Sequence, residues 1–251
     1  MPIHFARRLT GHKRSVDANR HLGVALAFIA GAINAGGFLA VQQYTSHMTG
    51  IVSGMADHLA LGDYAPVLAG FGAILSFLLG ATCTALMVSH ARQRRMHSEY
   101  ALPLLLEAGL LLGFGLLGGH LARIEGLFVP LTVMLLCFIM GLQNALITKL
   151  SKAEIRTTHM TGIITDIGIE LGKLAYQRAA PGAGRVVPNR DRLGIHTVLV
   201  LSFFLGGVIG ALGFAHIGFR STVPLAVVLC VLAIVPALDD LERLRRRRAR
   251  K

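Results

Sequence analysis

The sequence is poor in the charged side chains that keep a soluble protein in solution. Only 15% of its 251 residues are charged and none is Trp, whereas 53% are hydrophobic. An average soluble domain has about 25% charged residues, and the mean hydropathy here is +0.61. This balance excludes a water-soluble globular fold and predicts an all-α polytopic membrane protein, because spanning helices of about 20 residues satisfy their own backbone groups in lipid.

Cysteine is scarce, and the three that are present stand alone. Cys83, Cys137 and Cys230 share no metal-ligand spacing. The sequence also shows no paired nucleophile and base and no phosphate-binding glycine loop. These absences predict that the protein is not an enzyme and that it binds no metal and no cofactor.

Acidic residues are the minority charge, since 13 Asp and Glu stand against 25 Lys and Arg and the net charge is +12. The basic residues lie almost wholly between apolar stretches, where they orient a chain and attract anionic lipid headgroups. This placement predicts the lipid bilayer as a partner and argues against nucleic acid. Residues 1–21 and 239–251 are interpreted as basic cytoplasmic tails.

Six stretches are long and apolar enough to cross a bilayer as helices. They are Leu22–Val41, Tyr64–Ser89, Ala101–Leu121, Gly126–Ile147, Gly194–Ala215 and Thr222–Leu238. Two shorter and more polar segments, Ser46–Leu61 and Thr158–Leu171, are predicted to be re-entrant or interfacial helices. Gln177–Asp191 has no apolar periodicity and is predicted to be a mobile cytoplasmic loop.

The distribution of Lys and Arg predicts the orientation. Six spans with both termini inside place 23 of the 25 basic residues on the cytoplasmic side. Letting the two shorter segments cross as well would move basic residues outside, against the usual accumulation of Lys and Arg in cytoplasmic loops. We therefore expect a six-span, N-in/C-in protein of the cytoplasmic (inner) membrane.

One pair of polar motifs occurs twice. Gly31-Ala-Ile-Asn34-Ala recurs as Gly141-Leu-Gln-Asn144-Ala, and Ser46–Ile51 recurs as Thr158–Ile163 with His-Met-Thr-Gly identical. Each copy belongs to a unit of three spans and one short helix, residues 22–122 and 123–238. Three crossings invert the second unit relative to the first, an architecture typical of secondary transporters and some channels.

The duplicated residues are candidate solute ligands. Each short helix is predicted to begin at Ser46 or Thr158 as its N-cap, and the two helices to point their free N–H groups from opposite sides toward one locus, which favours an anion or an acceptor-rich solute. Interfacial helices with packing glycines are the alternative. The candidate substrate-binding residues are Asn34, His47, Thr49, Gly50, Gln143, Asn144, His159, Thr161 and Gly162.

Acidic residues near membrane depth are functional candidates because burying a carboxylate is costly. Glu107, inside the third span, is a candidate for a coupling proton. Asp166 and Glu170 are further coupling-ion candidates, and they repel each other at one-turn spacing unless Lys173 or Arg156 compensates. Asp57 lies in the first short helix.

Two small-residue motifs predict close helix crossings. They are Gly115-x-x-x-Gly119 and Gly206-x-x-x-Gly210.

Over roughly Gly23 to Leu238 the sequence resembles the YoaK family of bacterial integral membrane proteins, which is defined by a domain of unknown function. The likeness is carried by Ser46–Gly50, Gly141–Ala145 and Thr157–Gly162. Members of that family often carry Asn after the first Thr-Gly, where this chain has Ile51. The resemblance implies a bacterial membrane protein and brings no established substrate.

The sequence thus predicts a transporter that moves a small polar solute, anions included, by alternating access between inverted repeats. A passive channel is the first alternative, and a membrane scaffold or sensor without transport is the second. The sequence leaves open whether the protein forms a homo-oligomer.

Overall fold

The structure is a computed structural model that describes residues 16–94, 96, 99–121, 128–151, 157–179 and 186–234. These residues form eight α-helices and one 3-10 turn, with no β-strand among them. The helices are α1 Val16–Val41, α2 Met48–Ala60, α3 Tyr64–Gln93, α4 Ala101–Leu121, α5 Phe128–Leu150, α6 Met160–Ala179, α7 Arg190–Ile217 and α8 222–234, with the 3-10 turn at Gly218–Ser221.

Five helical stretches of the described chain are long and apolar enough to cross a membrane. They are Asp17–Val41, Tyr64–Gln93, Ala101–Gly119, Val129–Leu150 and Arg190–Ile234. The last is 45 residues long and contains α7 and α8, separated where Gly218 adopts a φ of 61°, a conformation that favours glycine. The chain is therefore a helical, multi-pass membrane protein.

The segment around α6 is more helical than the sequence predicts. The second short helix extends to Ala179 rather than ending at Leu171, and α7 begins at Arg190, so both ends of the predicted loop Gln177–Asp191 are helical. The physical reason at the second end is a cap, because the Asn189 side chain accepts a hydrogen bond from the Arg192 N–H. Residues 180–185 of that loop, the tails 1–15 and 239–251, and residues 235–238 of the predicted last span lie outside the described residues.

Two pairs of helices cross at backbone contact through one recurring sequence pattern, Phe-x-x-Gly. The four copies that form the crossings are Phe28–Gly31 in α1, Phe77–Gly80 in α3, Phe138–Gly141 in α5 and Phe203–Gly206 in α7. A Cβ atom added to any of these glycines would overlap a phenylalanine carbonyl of the facing helix. Glycine is therefore required at each position for this approach, which is the close packing that small residues allow between membrane helices.

The pairing at these crossings is reciprocal. Gly31 faces the Phe203 carbonyl while Gly206 faces the Phe28 carbonyl, so α1 packs on α7. In the same way α3 packs on α5 through Gly80 with Phe138 and Gly141 with Phe77. Gly210 extends the first crossing against Ala32, which confirms the predicted role of Gly206-x-x-x-Gly210. In the other motif Gly115 contacts Thr222, whereas Gly119 has open space beside it.

The first helices of the two predicted units run antiparallel to each other. The contacts between α1 and α5 join Asn19 to Leu150, Leu26 to Gln143, and Gly37 to Leu136. Residue numbers rise along α1 as they fall along α5. By contrast α1 and α7 run parallel, because Phe28 faces Gly206 and Ala32 faces Gly210.

Candidate functional site

The two copies of the polar motif are built with the same hydrogen bond. Asn34 Oδ1 in α1 accepts the backbone N–H of Ser46 at 3.3 Å and its hydroxyl at 2.9 Å. Asn144 Oδ1 in α5 accepts the hydroxyl of Thr158. The buried Asn34 and the half-buried Asn144 therefore each tie the start of a short helix to the spanning helix before it. We call these two groups, residues 45–50 with Asn34 and residues 157–162 with Asn144, the first and second clusters.

The predicted N-caps were wrong in detail. Helices α2 and α6 begin at Met48 and Met160, and the first helical N–H bonds go to the carbonyls of His47 and His159. The hydroxyls of Ser46 and Thr158 instead donate hydrogen bonds to the side chains of Asn34 and Asn144. His47, the N-cap of α2, makes no side-chain bond to the first turn, so that turn keeps N–H groups available to a ligand.

The duplicated histidines fold over the glycines of their own helices. The His47 ring lies against Gly50 and the His159 ring against Gly162, so a Cβ at either glycine would overlap the ring. Both histidines and both threonines of the Met-Thr-Gly turn, Thr49 and Thr161, are exposed on the single chain. The two clusters therefore match in conformation and in exposure as well as in sequence.

One duplicated residue of the clusters was missed by sequence analysis. Thr45 and Thr157 are fully buried, and neither hydroxyl has a hydrogen-bond partner among the described residues. A buried hydroxyl without a partner is costly. The signal was present in the sequence, because the repeated motif extends one residue further toward the N-terminus, as Thr-Ser-His-Met-Thr-Gly and Thr-Thr-His-Met-Thr-Gly.

Both clusters lie well inside the ends of the spanning helices. Ser46 returns to the level of Asn34, seven residues before the end of α1 at Val41, which is about 10 Å at 1.5 Å per residue. From there α2 packs against α3, with Met55 and Ile51 next to Gly70. Thr158 likewise returns to Asn144, six residues before the end of α5.

The structure keeps the two clusters apart. Gln143, the neighbour of Asn144, donates to the carbonyl of Leu26, eight residues before Asn34. The two asparagines are therefore about 12 Å apart along the bundle. Each short helix packs on the next helix of its own unit, so the Thr-Gly turns do not meet at one locus in this structure.

Two further candidates are buried at helix interfaces. Gln143 in α5 is fully buried, donates from Nε2 to the Leu26 carbonyl at 3.4 Å, and leaves Oε1 without a partner. Glu107 in α4 is fully buried, and neither carboxylate oxygen has a partner among the described residues. Neither residue belongs to the first or second cluster.

The acids of α6 are paired rather than free. Glu170 is 2.8 Å from Lys173 Nζ and accepts the N–H of Asn189 at 2.7 Å, while Asp166 is 3.0 Å from Arg192. The hydrogen bonds from Lys173 and Asn189 lower the pKa of Glu170. These contacts, which we call the α6–α7 latch, confirm the predicted compensation by Lys173; Arg156 lies outside the described residues. Asp57 is exposed on α2.

No group of three or more His, Cys, Asp or Glu in the described part of the chain is arranged to hold a metal ion. The three cysteines are free thiols.

Comparison with known proteins identifies the family. Residues 22–235 match the family described as "Protein of unknown function (DUF1275)". The chain belongs to this family. It is also similar to a UPF0700 transmembrane protein, YoaK of Bacillus subtilis (strain 168), with 25% identity over 214 residues that cover 82% of this chain and 89% of the relative. No solved structure matches the chain.

Both clusters, Gln143 and Glu107 fall within the matched region. The family carries no assigned function, so the chemistry of these groups has to supply one.

Proposed function

We propose that the protein is a transporter of a small polar solute, anions included, that works by alternating access between two inverted repeats. The observation that carries the proposal is the pair of matching clusters on antiparallel helices. Asn34 with Ser46 and Asn144 with Thr158 repeat one hydrogen-bonded arrangement, and α1 and α5, which hold them, run in opposite directions.

Inverted repeats would account for the pattern of the close helix crossings. A two-fold axis in the membrane plane would exchange α1 with α5 and α3 with α7, so it would turn the crossing of α1 with α7 into the crossing of α5 with α3. The reciprocal Phe-x-x-Gly contacts follow this rule at all four glycines. Counting α7 and α8 as separate crossings then gives six spans in the orientation that the basic residues favour.

The positions of the short helices support a re-entrant arrangement. Each begins about 10 Å inside the end of its spanning helix and leads back outward into the next span. Irregular backbone at such depth is tolerated where protein or water surrounds it. Short helices at corresponding places in inverted repeats are the usual location of transporter binding sites.

The chemistry of the clusters indicates the class of solute. Each offers a threonine hydroxyl, an imidazole and the first-turn N–H groups of a helix whose dipole is positive at that end. The buried hydroxyls of Thr45 and Thr157 add polar groups without partners. Donors therefore predominate, which favours a solute rich in acceptor oxygens.

The crossings also suggest which parts move together. Backbone contact joins α1 to α7 and α3 to α5, whereas α1 and α5 meet partly through long side-chain hydrogen bonds of 3.4 and 3.5 Å. We therefore expect the rocking units to be the α1/α7 and α3/α5 pairs, each drawn from both repeats. Movement between them would open the first cluster to one side and the second to the other.

Uptake into reconstituted vesicles tests the proposal. Screening small polar solutes should find one whose uptake saturates, and Thr49→Ala and Thr161→Ala should each reduce it at least about tenfold, as the loss of one charged or well-placed hydrogen bond does. Ser53→Ala and Thr165→Ala, one turn along the same helices, are matched controls and should retain uptake. Full uptake in both cluster variants would contradict the site.

Cysteine labelling tests the inverted topology. In a chain with Cys83, Cys137 and Cys230 replaced, single cysteines at Gln43 and Ser221 should react with an impermeant reagent from outside. Cysteines at Arg94 and Val187 should react only from inside. Outside labelling of Val187→Cys would contradict the six-span arrangement.

A passive channel is the second candidate, and the separation of the clusters favours it. Two weak sites about 12 Å apart on one path would let a solute move from one to the next without a conformational cycle. Flux that rises linearly with solute concentration, and that continues at low temperature, would support the channel over the carrier.

A further inference from the structure

We infer that Glu107 and Gln143 together form a proton-binding site in the core of the bundle, in which the protonated carboxyl of Glu107 donates to Gln143 Oε1. The site is distinct from the two clusters. As the coupling site of a carrier it rests on the proposed function, whereas its ability to bind a proton does not.

Glu107 and Gln143 lie on neighbouring helices at a matching level. Helices α4 and α5 pack together, and the Tyr100 hydroxyl donates to the Lys149 carbonyl at one level of that interface. Phe114 and Leu136 line one cavity at another level. Glu107 is halfway from Tyr100 to Phe114, and Gln143 is near halfway from Lys149 to Leu136, so Glu107 and Gln143 occupy the same level.

The atoms of Glu107 and Gln143 that lack a hydrogen-bond partner among the described residues are all oxygens. Both residues are 0% exposed, and the atoms without partners are Glu107 Oε1, Glu107 Oε2 and Gln143 Oε1. An amide oxygen accepts only, and an ionised carboxylate accepts only. These three acceptors have no donor between them. Protonation of the Glu107 carboxyl supplies a donor, which can bond to Gln143 Oε1.

The Gln143 amide is held in one orientation by a hydrogen bond. Gln143 Nε2 is held by the Leu26 carbonyl at 3.4 Å, which leaves Oε1 as the available end of the amide. An unpaired carboxylate at this depth would be very costly, whereas a neutral acid with one hydrogen bond is not.

Among the residues that the structure describes, no cation is placed to pair with Glu107 instead. The titratable groups on the described elements packed around the two residues are Asp17, Arg20 and His21 on α1, Tyr64, Cys83, His90 and Arg92 on α3, Cys137 and Lys149 on α5, Arg220 on the 3-10 turn, and Cys230 on α8. None of them is hydrogen-bonded to the Glu107 carboxyl. Lys149, at the level of Tyr100, is two helical turns or about 10 Å from Glu107 along the axis.

The site occurs in one unit only. Ile33 stands where the repeat places Gln143, and α8, the last described helix, has no acidic residue. The cluster is present twice and the proton-binding site once. A carrier built in this way would have two solute-binding sites and one proton-binding site.

Infrared spectroscopy of the protein in lipid tests the inference without any transport assay. The wild type should show a protonated carboxylic acid C=O band at neutral pH, and E107Q should lose it. Gln143→Leu, which keeps the volume and removes the acceptor, should shift the band to higher wavenumber, whereas Gln43→Leu, on a connecting segment, should leave it in place. A band that is absent from the wild type, or unmoved by Gln143→Leu, would overturn the inference.

Carbodiimide labelling of the unmodified protein covers the case in which a variant fails to fold. An apolar carbodiimide reacts with protonated buried carboxyls, so an adduct should map to Glu107 at neutral pH and disappear as alkaline conditions remove the proton. If Glu107 is labelled but the protein transports no solute, the proposed function is contradicted and the proton-binding site is still supported. Transport by a protein whose Glu107 is never labelled would support the proposed function and contradict the proton-binding site.

Discussion

The two halves of the molecule are alike at their crossings and different in how their short helices are held. Gly31 and Gly141 are equivalent, as are Gly80 and Gly206. The second short helix, α6, is fastened to α7 by the ionic latch of Glu170 and Asp166. The first, α2, packs on α3 through apolar Ile51 and Met55.

This difference separates the helix crossings, which have the same structure in both halves, from the attachments of the short helices, which differ. Backbone contact between helices tolerates no side chain, so both halves had to keep glycine at the crossings. Attachment of a short helix can be apolar or ionic, so the halves could diverge there. We expect substitutions at the crossings to act equally in both halves, and substitutions at the attachments to act in one.

The largest effect is expected at the crossings. Gly31→Ala and Gly141→Ala should each lower Tm in detergent by roughly 5–10 °C, because the added methyl group overlaps a facing carbonyl and overpacking costs about 1–3 kcal/mol or more. Gly113→Ala, which meets open space, is the matched control and should leave Tm near the wild-type value. A loss in only one of the two crossing variants would break the equivalence of the halves.

A smaller and again equal effect is expected at the cluster amides. Asn34→Ala and Asn144→Ala each leave a hydroxyl of Ser46 or Thr158 without its acceptor, which should cost about 1–2 kcal/mol. Thermal unfolding would measure this, with Gln43→Ala as a surface control. Unequal losses would indicate that only one cluster is held by its asparagine.

The α6–α7 latch should respond in the second half alone. Glu170→Gln weakens the links to Lys173 and Asn189, so amide hydrogen exchange over residues 186–189 should become faster while exchange in α2 stays unchanged. Acid should mimic the variant, because a lowered pKa means that the latch contributes fully above the ordinary Glu value of about 4.3 and is lost as pH falls through the lowered value. If exchange over residues 186–189 does not respond to Glu170→Gln or to acid, the latch does not hold α6 to α7.

The smallest effect is expected in the first half at the exposed pair of His58 and Asp63, which are 3.4 Å apart. His58→Ala should change the free energy of unfolding by less than about 0.5 kcal/mol, because exposed ion pairs contribute little. A larger loss would show that α2 also depends on an ionic attachment.

Part of the site followed from the sequence and part did not. The duplicated Asn, His, Thr and Gly residues were recognisable in the sequence. The structure gives the Asn, His and Gly pairs matching contacts and leaves both Thr49 and Thr161 exposed. The level shared by Glu107 and Gln143 was not recognisable, since it depends on how α4 and α5 align. The burial of Thr45 and Thr157 likewise depends on the path of the chain between helices.

Composition and hydropathy alone determined that this is a helical membrane protein, because the long continuous apolar stretches fit spanning helices, which satisfy their own backbone groups in lipid. The repeat of the motifs around Asn34 and Asn144 predicted two related units. Only the tertiary structure decided that α1 packs on α7 and α3 on α5, that the two clusters stay apart, and that the Glu107 carboxyl is buried with no cation of the described residues bonded to it. Those outcomes depend on which helices approach closely, and that is settled by backbone contact between residues far apart in the chain.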